Sequence, residues 1–141
     1  MSGPYESAQL NLQLYDLRRE ALLREARAWF LAEFHPETFE DALAIVRGPR
    51  NSAFRMVLGY WDMAASLVTS GAIDVASFLA AHGEIVGTYA LIAPFVAQFR
   101  QTTGNRDFLR HIEQVVGGMP DAQATLAQRR ARLRAIVDAP R

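Results

Sequence analysis

The sequence predicts an all-α fold: a single-domain helical bundle of six to seven helices, with a long N-terminal helix and two largely buried central helices. Three observations predict it. Apolar residues recur at spacings of three and four through most of the chain, which is the repeat of a helix face. No stretch alternates apolar and polar residues with the period of two expected of a half-buried strand. The chain has 141 residues, 50% hydrophobic and 21% charged, a length and composition that build one globular core without staples.

The first helix is expected from about Glu6 to Phe34. Its apolar residues fall on two sides. Leu10, Leu14, Leu17, Ala21, Ala28 and Leu31 form one, and Leu12, Tyr15, Leu22, Leu23, Ala26, Trp29 and Phe30 the other. One side packs on the domain's own core. The other is left as an apolar stripe, covered by the chain's own helices or by a second protein. Leu10, Leu14, Leu17, Ala21 and Leu31 are the interface candidates. A short helix follows Pro36, with acidic residues in its first turn and Phe39, Leu43 and Val46 inward. His35 stands at the junction and has no second ligand at metal-binding spacing.

The chain is organised around Asn51 to Gly71. Phe54, Leu58, Trp61, Ala65 and Val68 make one face, and Met56, Tyr60, Met63 and Leu67 a second, as in a helix enclosed by others. Asn51 or Ser52 is the expected cap, and Gly71 the left-handed stop. Arg55 and Asp62 lie on the remaining polar strip. An isolated buried carboxylate is very costly, so Asp62 is expected to pair with Arg55 or another Arg, or to sit at a solvated edge. A catalytic carboxylate is the functional alternative.

Asp74 caps a short helix from Val75 to His82. The next helix, Glu84 to Arg100, is apolar nearly throughout. Pro94 should kink it and Gly87 should admit a close neighbour. Asn105 is expected to cap a helix from Arg106 to Val116. Gly117-Gly118-Met119-Pro120 is the strongest linker signal. It separates a bundle core, residues 1–118, from a C-terminal Arg-rich helix, 119–141, in the same domain or loosely docked.

Composition excludes several classes. All fifteen basic residues are Arg, matched by fifteen acids, so the formal net charge is zero and no global field favours nucleic acid. The absence of Cys removes disulfides, thiolate metal sites and Cys nucleophiles. The longest apolar run, Ile85 to Ala97, falls short of the roughly 20 residues of a membrane span. A polar N-terminus resembles no signal peptide, and a cytoplasmic protein is expected. The Arg and Ala usage suggests a GC-rich bacterial source.

No catalytic, nucleotide or metal signature is present, and no cofactor is expected. His82 with Glu84, and His111 with Glu113, are two residues apart and do not share a helix face. Arg129, Arg130, Arg132 and Arg134 form a basic patch without interleaved aromatics. It reads as a solvated helix face, as a phosphate contact, or as a partner for the acidic segment Glu33 to Asp41. Tyr60, Trp61, Tyr89, Phe95 and Phe99 are the residues that would line an apolar pocket if the central helices leave one; otherwise they are core.

Tyr60, Trp61, Asp62, Leu67, Gly71, Ile73 and Asp74, in MVLGYWDMAASLVTSGAIDVASF, form a pattern that resembles a group of bacterial all-helical domains of unknown function. The likeness covers the middle third of the chain. It implies an all-helical fold and no activity. The functional expectation is a non-enzymatic interaction module, a homodimer or the binder of a partner protein. The alternatives are a small-molecule sensor with a pocket between the central helices near Pro94, and an enzyme using Asp62.

Overall fold

The computed structural model describes residues 3–140. Among them there is no strand. The helices are α1 (Pro4–Leu17), α2 (Ala21–Glu33), α3 (Phe39–Val46), α4 (Asn51–Thr69), α5 (Val75–Ala81), α6 (Glu84–Ile92), α7 (Val96–Thr103), α8 (Arg110–Gly117) and α9 (Ala122–Asp138). A 3-10 turn, Ala93–Phe95, joins α6 and α7 as two halves of one interrupted helix. Eight helices therefore run through the described residues, where six or seven were expected.

The extra helix comes from the N-terminal segment, which is broken rather than continuous. The carboxylate of Glu20 accepts from the backbone N–H groups of Leu22 and Leu23. It thereby caps a new helix, because the first turn of a helix leaves its N–H groups unpaired. The break at Arg18–Glu20 resets the helical phase. In α1 the inward side carries Ser7, Asn11 and Leu14; in α2 it carries Leu23, Ala26, Trp29 and Phe30. The two sides predicted for one long helix are thus exchanged across the break.

α6 is the centre of the molecule. Every residue from Ile85 to Ile92 is buried, and α2, α8 and α9 surround it. α4 packs against α2 and α8 and buries Phe54, Leu58, Trp61 and Ala65, the face predicted for it. It is not enclosed on all sides. Met56 and Met63, placed on a second inward face, are exposed together with Arg55 and Gly59. Gly71 closes the segment at φ 86°, the left-handed region that suits glycine. Asn51 does not cap α4; its amide donates to the Val46 carbonyl.

Two features position α9. Gly87 leaves room for it: a Cβ there would lie 3.4 Å from a Leu133 methyl and 3.8 Å from Arg129. Ala122 and Leu126 are buried, and Leu133 is packed partly against the core. The predicted helix 106–116 begins later, at Arg110, because residues 106–109 form turns and Leu109 adopts φ 57°.

Candidate functional site

No single helix is long and apolar enough to cross a membrane. Among the described residues no cluster of three or more His, Asp or Glu is placed to hold a metal ion. The features that remain are a capped carboxylate, an apolar face and a cleft.

Asp62 is half-buried, and its partner is not Arg55, which is exposed. Oδ1 accepts from the backbone N–H groups of His111 and Ile112, each at 3.1 Å. These are the first free amides of α8. The residue at the α8 N-cap, Leu109, offers no capping side chain, so a carboxylate from α4 supplies the cap from another helix. A negative charge at this end also meets the positive pole of the helix dipole. The group therefore holds α8 against α4 through Oδ1.

The candidate pocket aromatics are core. Tyr60 and Trp61 stack edge to face, and Phe99 meets Phe39, Phe54 and Phe108. The Tyr60 hydroxyl donates to the Leu14 carbonyl; burial pushes the phenol pKa up to about 12. Burial does the same for Tyr89. Of the five, only Phe95 borders a cleft. Trp61 also touches His82, whose ring is wholly buried and has no hydrogen-bond partner for either nitrogen. Burial, with the nearby positive Arg18 adding to it, pushes the His82 pKa down. A buried neutral imidazole follows.

The interface candidates separate. Leu14 is 2% exposed and belongs to the core; Leu10 and Leu31 pack partly against it. Leu17 and Ala21 are exposed. The phase reset at the break is the reason. The apolar face left in solvent is instead Tyr5, Ala8, Leu12 and Tyr15, with spacings of three, four and three along α1. Leu22 of α2 is exposed as well. Leu12 is 69% and Tyr5 72% exposed. Leu12 and Ala8 also border a groove of about 680 Å³ floored by Ser7, Asn11 and Ser77.

The Arg patch divides too. Arg134 donates to the His35 carbonyl and to Glu37, each at 3.0 Å, and to Asp138 at 3.2 Å. This includes a contact with the acidic segment. Arg130 donates through Nε to the Ala90 carbonyl at 2.8 Å. Arg129 has a buried Nε without a partner, and Arg132 is exposed. The four do not form one phosphate-binding surface, because two of them are engaged with the chain's own carbonyls.

No curated protein and no solved structure matches the chain. A family model described as a domain of unknown function (DUF4760) matches residues 5–119. The match runs from α1 to the Gly117–Pro120 linker and leaves α9 outside. This span includes the Tyr60 to Asp74 pattern and most of the helical core, and the chain belongs to the DUF4760 family.

Proposed function

We propose that the chain is a non-enzymatic interaction module, which associates with itself or with a partner protein through the outward face of α1. One observation carries the reading. Tyr5, Ala8, Leu12 and Tyr15 form an exposed stripe that flanks the Ser7, Asn11 and Leu14 side that meets the core. Isolated exposed apolar residues need no explanation, but a contiguous patch marks a contact surface. Two aromatic side chains that retain a hydroxyl suit such a surface. The two backbone amides on Asp62 Oδ1 favour a structural role for this carboxylate over a catalytic one.

The test is mass in solution by light scattering over a wide concentration range, for the parent and for the double variant Leu12→Glu, Tyr15→Glu. Both positions are exposed, so the variant should fold. A dimer that the double variant converts to monomer supports self-association. A monomeric parent directs the reading to a partner protein, sought by capture on the parent with the double variant as control. A dimer that the double variant leaves intact refutes this face as the self-interface. Capture that is equal on both proteins refutes it as a partner surface.

A further inference from the structure

Four arginines of this chain hold backbone carbonyls left unpaired where helices break. Arg27 donates to the carbonyl of Arg18, at the break between α1 and α2. Arg100 donates to that of Phe108, before α8. Arg134 reaches that of His35, after α2. Arg130 reaches that of Ala90. The last carbonyl is free for a plain reason: its α-helical donor would be residue 94, and Pro94 has no N–H. A planar guanidinium with five donors can bind a carbonyl and a carboxylate at once. Three of the four do so. Arg27 also holds Glu84, Arg100 holds Glu113, and Arg134 holds Glu37 and Asp138.

Arg130 is the exception. Among the described residues its terminal nitrogens have no hydrogen-bond partner and no carboxylate lies within ion-pair distance. It borders a cleft of about 450 Å³ at Pro94, between the 3-10 turn that joins α6 and α7, α9 and the segment His35–Glu37. Leu91, Pro94, Phe95 and Ala131 supply apolar walls. We propose that this cleft binds a small monocarboxylate with a compact apolar body, its carboxylate on the terminal nitrogens of Arg130.

The volume lies in the range of small-molecule sites, and an apolar lining with one or two placed polar groups is their usual composition. Charge sets the valence. Two guanidinium groups and one carboxylate line the cleft, and Arg134 is already bound to Glu37. One positive charge is left, which matches a monoanion and leaves a phosphate dianion facing Glu37. Burial makes the charge of Arg130 more costly, and its pKa is lowered accordingly, so an ionic partner relieves a real penalty. The walls come from the family domain and from α9, which lies outside the family match. The proposal is independent of association through α1.

The experiment uses the full chain and three probes: 3-phenylpropionate, 3-phenylpropan-1-ol and inorganic phosphate. Binding is read as ¹⁵N–¹H chemical-shift change, including the Arg130 Nε–H, and as calorimetric affinity. Phenylpropionate should saturate and shift Leu91, Phe95 and Ala131. The alcohol and phosphate should bind at least about tenfold more weakly, the difference made by about 1.4 kcal/mol of charge-assisted hydrogen bonding. Arg130→Gln should weaken phenylpropionate by a similar factor. Ala131→Trp fills the cleft without altering Arg130 and should abolish binding; it decides the matter if Arg130→Gln fails to fold. The proposal is overturned by no saturable shift up to about 10 mM, above the range expected of one charged contact and one ring. Equal binding of alcohol or phosphate overturns it too, as does binding that survives Ala131→Trp.

Discussion

Replacing Asp62 with Ala removes the side-chain cap of α8 and should cost about 2 kcal/mol. Loss of a capping oxygen costs about 1 kcal/mol, and loss of a charge at a helix N-terminus up to about 1 more. The upper part of that range applies because the site is half-buried and the two amides at 3.1 Å have no substitute on their own helix. Asp62→Asn keeps an oxygen acceptor and loses only the charge, so it should cost about 1 kcal/mol. In a chain of this size, about 4 °C of melting temperature accompanies each kcal/mol. The expected falls are therefore about 8 °C for Ala and about 4 °C for Asn.

Urea unfolding followed by fluorescence is the assay, with buried Trp29 and Trp61 as reporters. Hydrogen exchange at the His111 and Ile112 amides localises the effect. Both should lose protection in Asp62→Ala by more than the global loss of stability. An Ala variant within about 0.5 kcal/mol of the parent, the spread of ordinary surface substitutions, refutes the cap. So does unchanged protection at Ile112.

Other perturbations test other parts of the fold. His82 is neutral when folded and takes up a proton when unfolded, so the unfolded state binds more protons at low pH. Stability is complete above the ordinary histidine pKa of 6.5 and falls as pH drops below it; His82→Leu should flatten the urea midpoint between pH 7.5 and 5.5, and an unchanged slope refutes the assignment. Glu84→Ala leaves Arg27 largely buried without its carboxylate (16% exposed) and should cost about 3 kcal/mol by urea unfolding. Gly87→Ala should be neutral or stabilising by up to about 1 kcal/mol, since helix propensity improves and the new Cβ meets Leu133 at ordinary contact distance. Gly87→Leu should detach α9, seen as selective loss of amide protection over residues 122–138.

What the sequence disclosed follows the range of its causes. The core face of α4, the left-handed Gly71, the Asp74 cap on Ser77 and the interruption of the α-helix at Pro94 are local. Each is set by a residue and its neighbours within a turn or two, and each was legible. The break at Arg18–Glu20 was not, because Glu is not a favoured cap and the apolar repeat runs through it. Missing it carried one helical phase across two helices. A single phase puts Leu14 outside and hides the Tyr5, Ala8, Leu12 and Tyr15 stripe. Its three-four-three spacing was the available signal. Asp62 reads as a carboxylate in need of an Arg, but the groups it meets are amides 49 and 50 residues away. The cleft was hidden for the same reason. Pro94 announces a free carbonyl, and nothing local says that Arg130 will find it.

The absence of Lys then has a structural consequence beyond codon usage. An ammonium is a compact charge, whereas a guanidinium presents donors in a fixed plane. Arg27 uses that plane fully. Nε and Nη2 meet the two oxygens of Glu84 at 2.6 and 2.9 Å, while Nη1 holds the Arg18 carbonyl at 2.7 Å. Arg27→Lys preserves the charge but cannot span both partners. One of them loses its hydrogen bond in a largely buried place, at a cost of about 1 to 3 kcal/mol. Arg132→Lys, at an exposed position, should change stability by less than about 0.5 kcal/mol. If the two variants unfold at the same urea concentration, charge alone suffices at Arg27. The carbonyl-plus-carboxylate clamp is then not what joins α1, α2 and α6, and the inference from the vacant half of Arg130 loses its closest parallel.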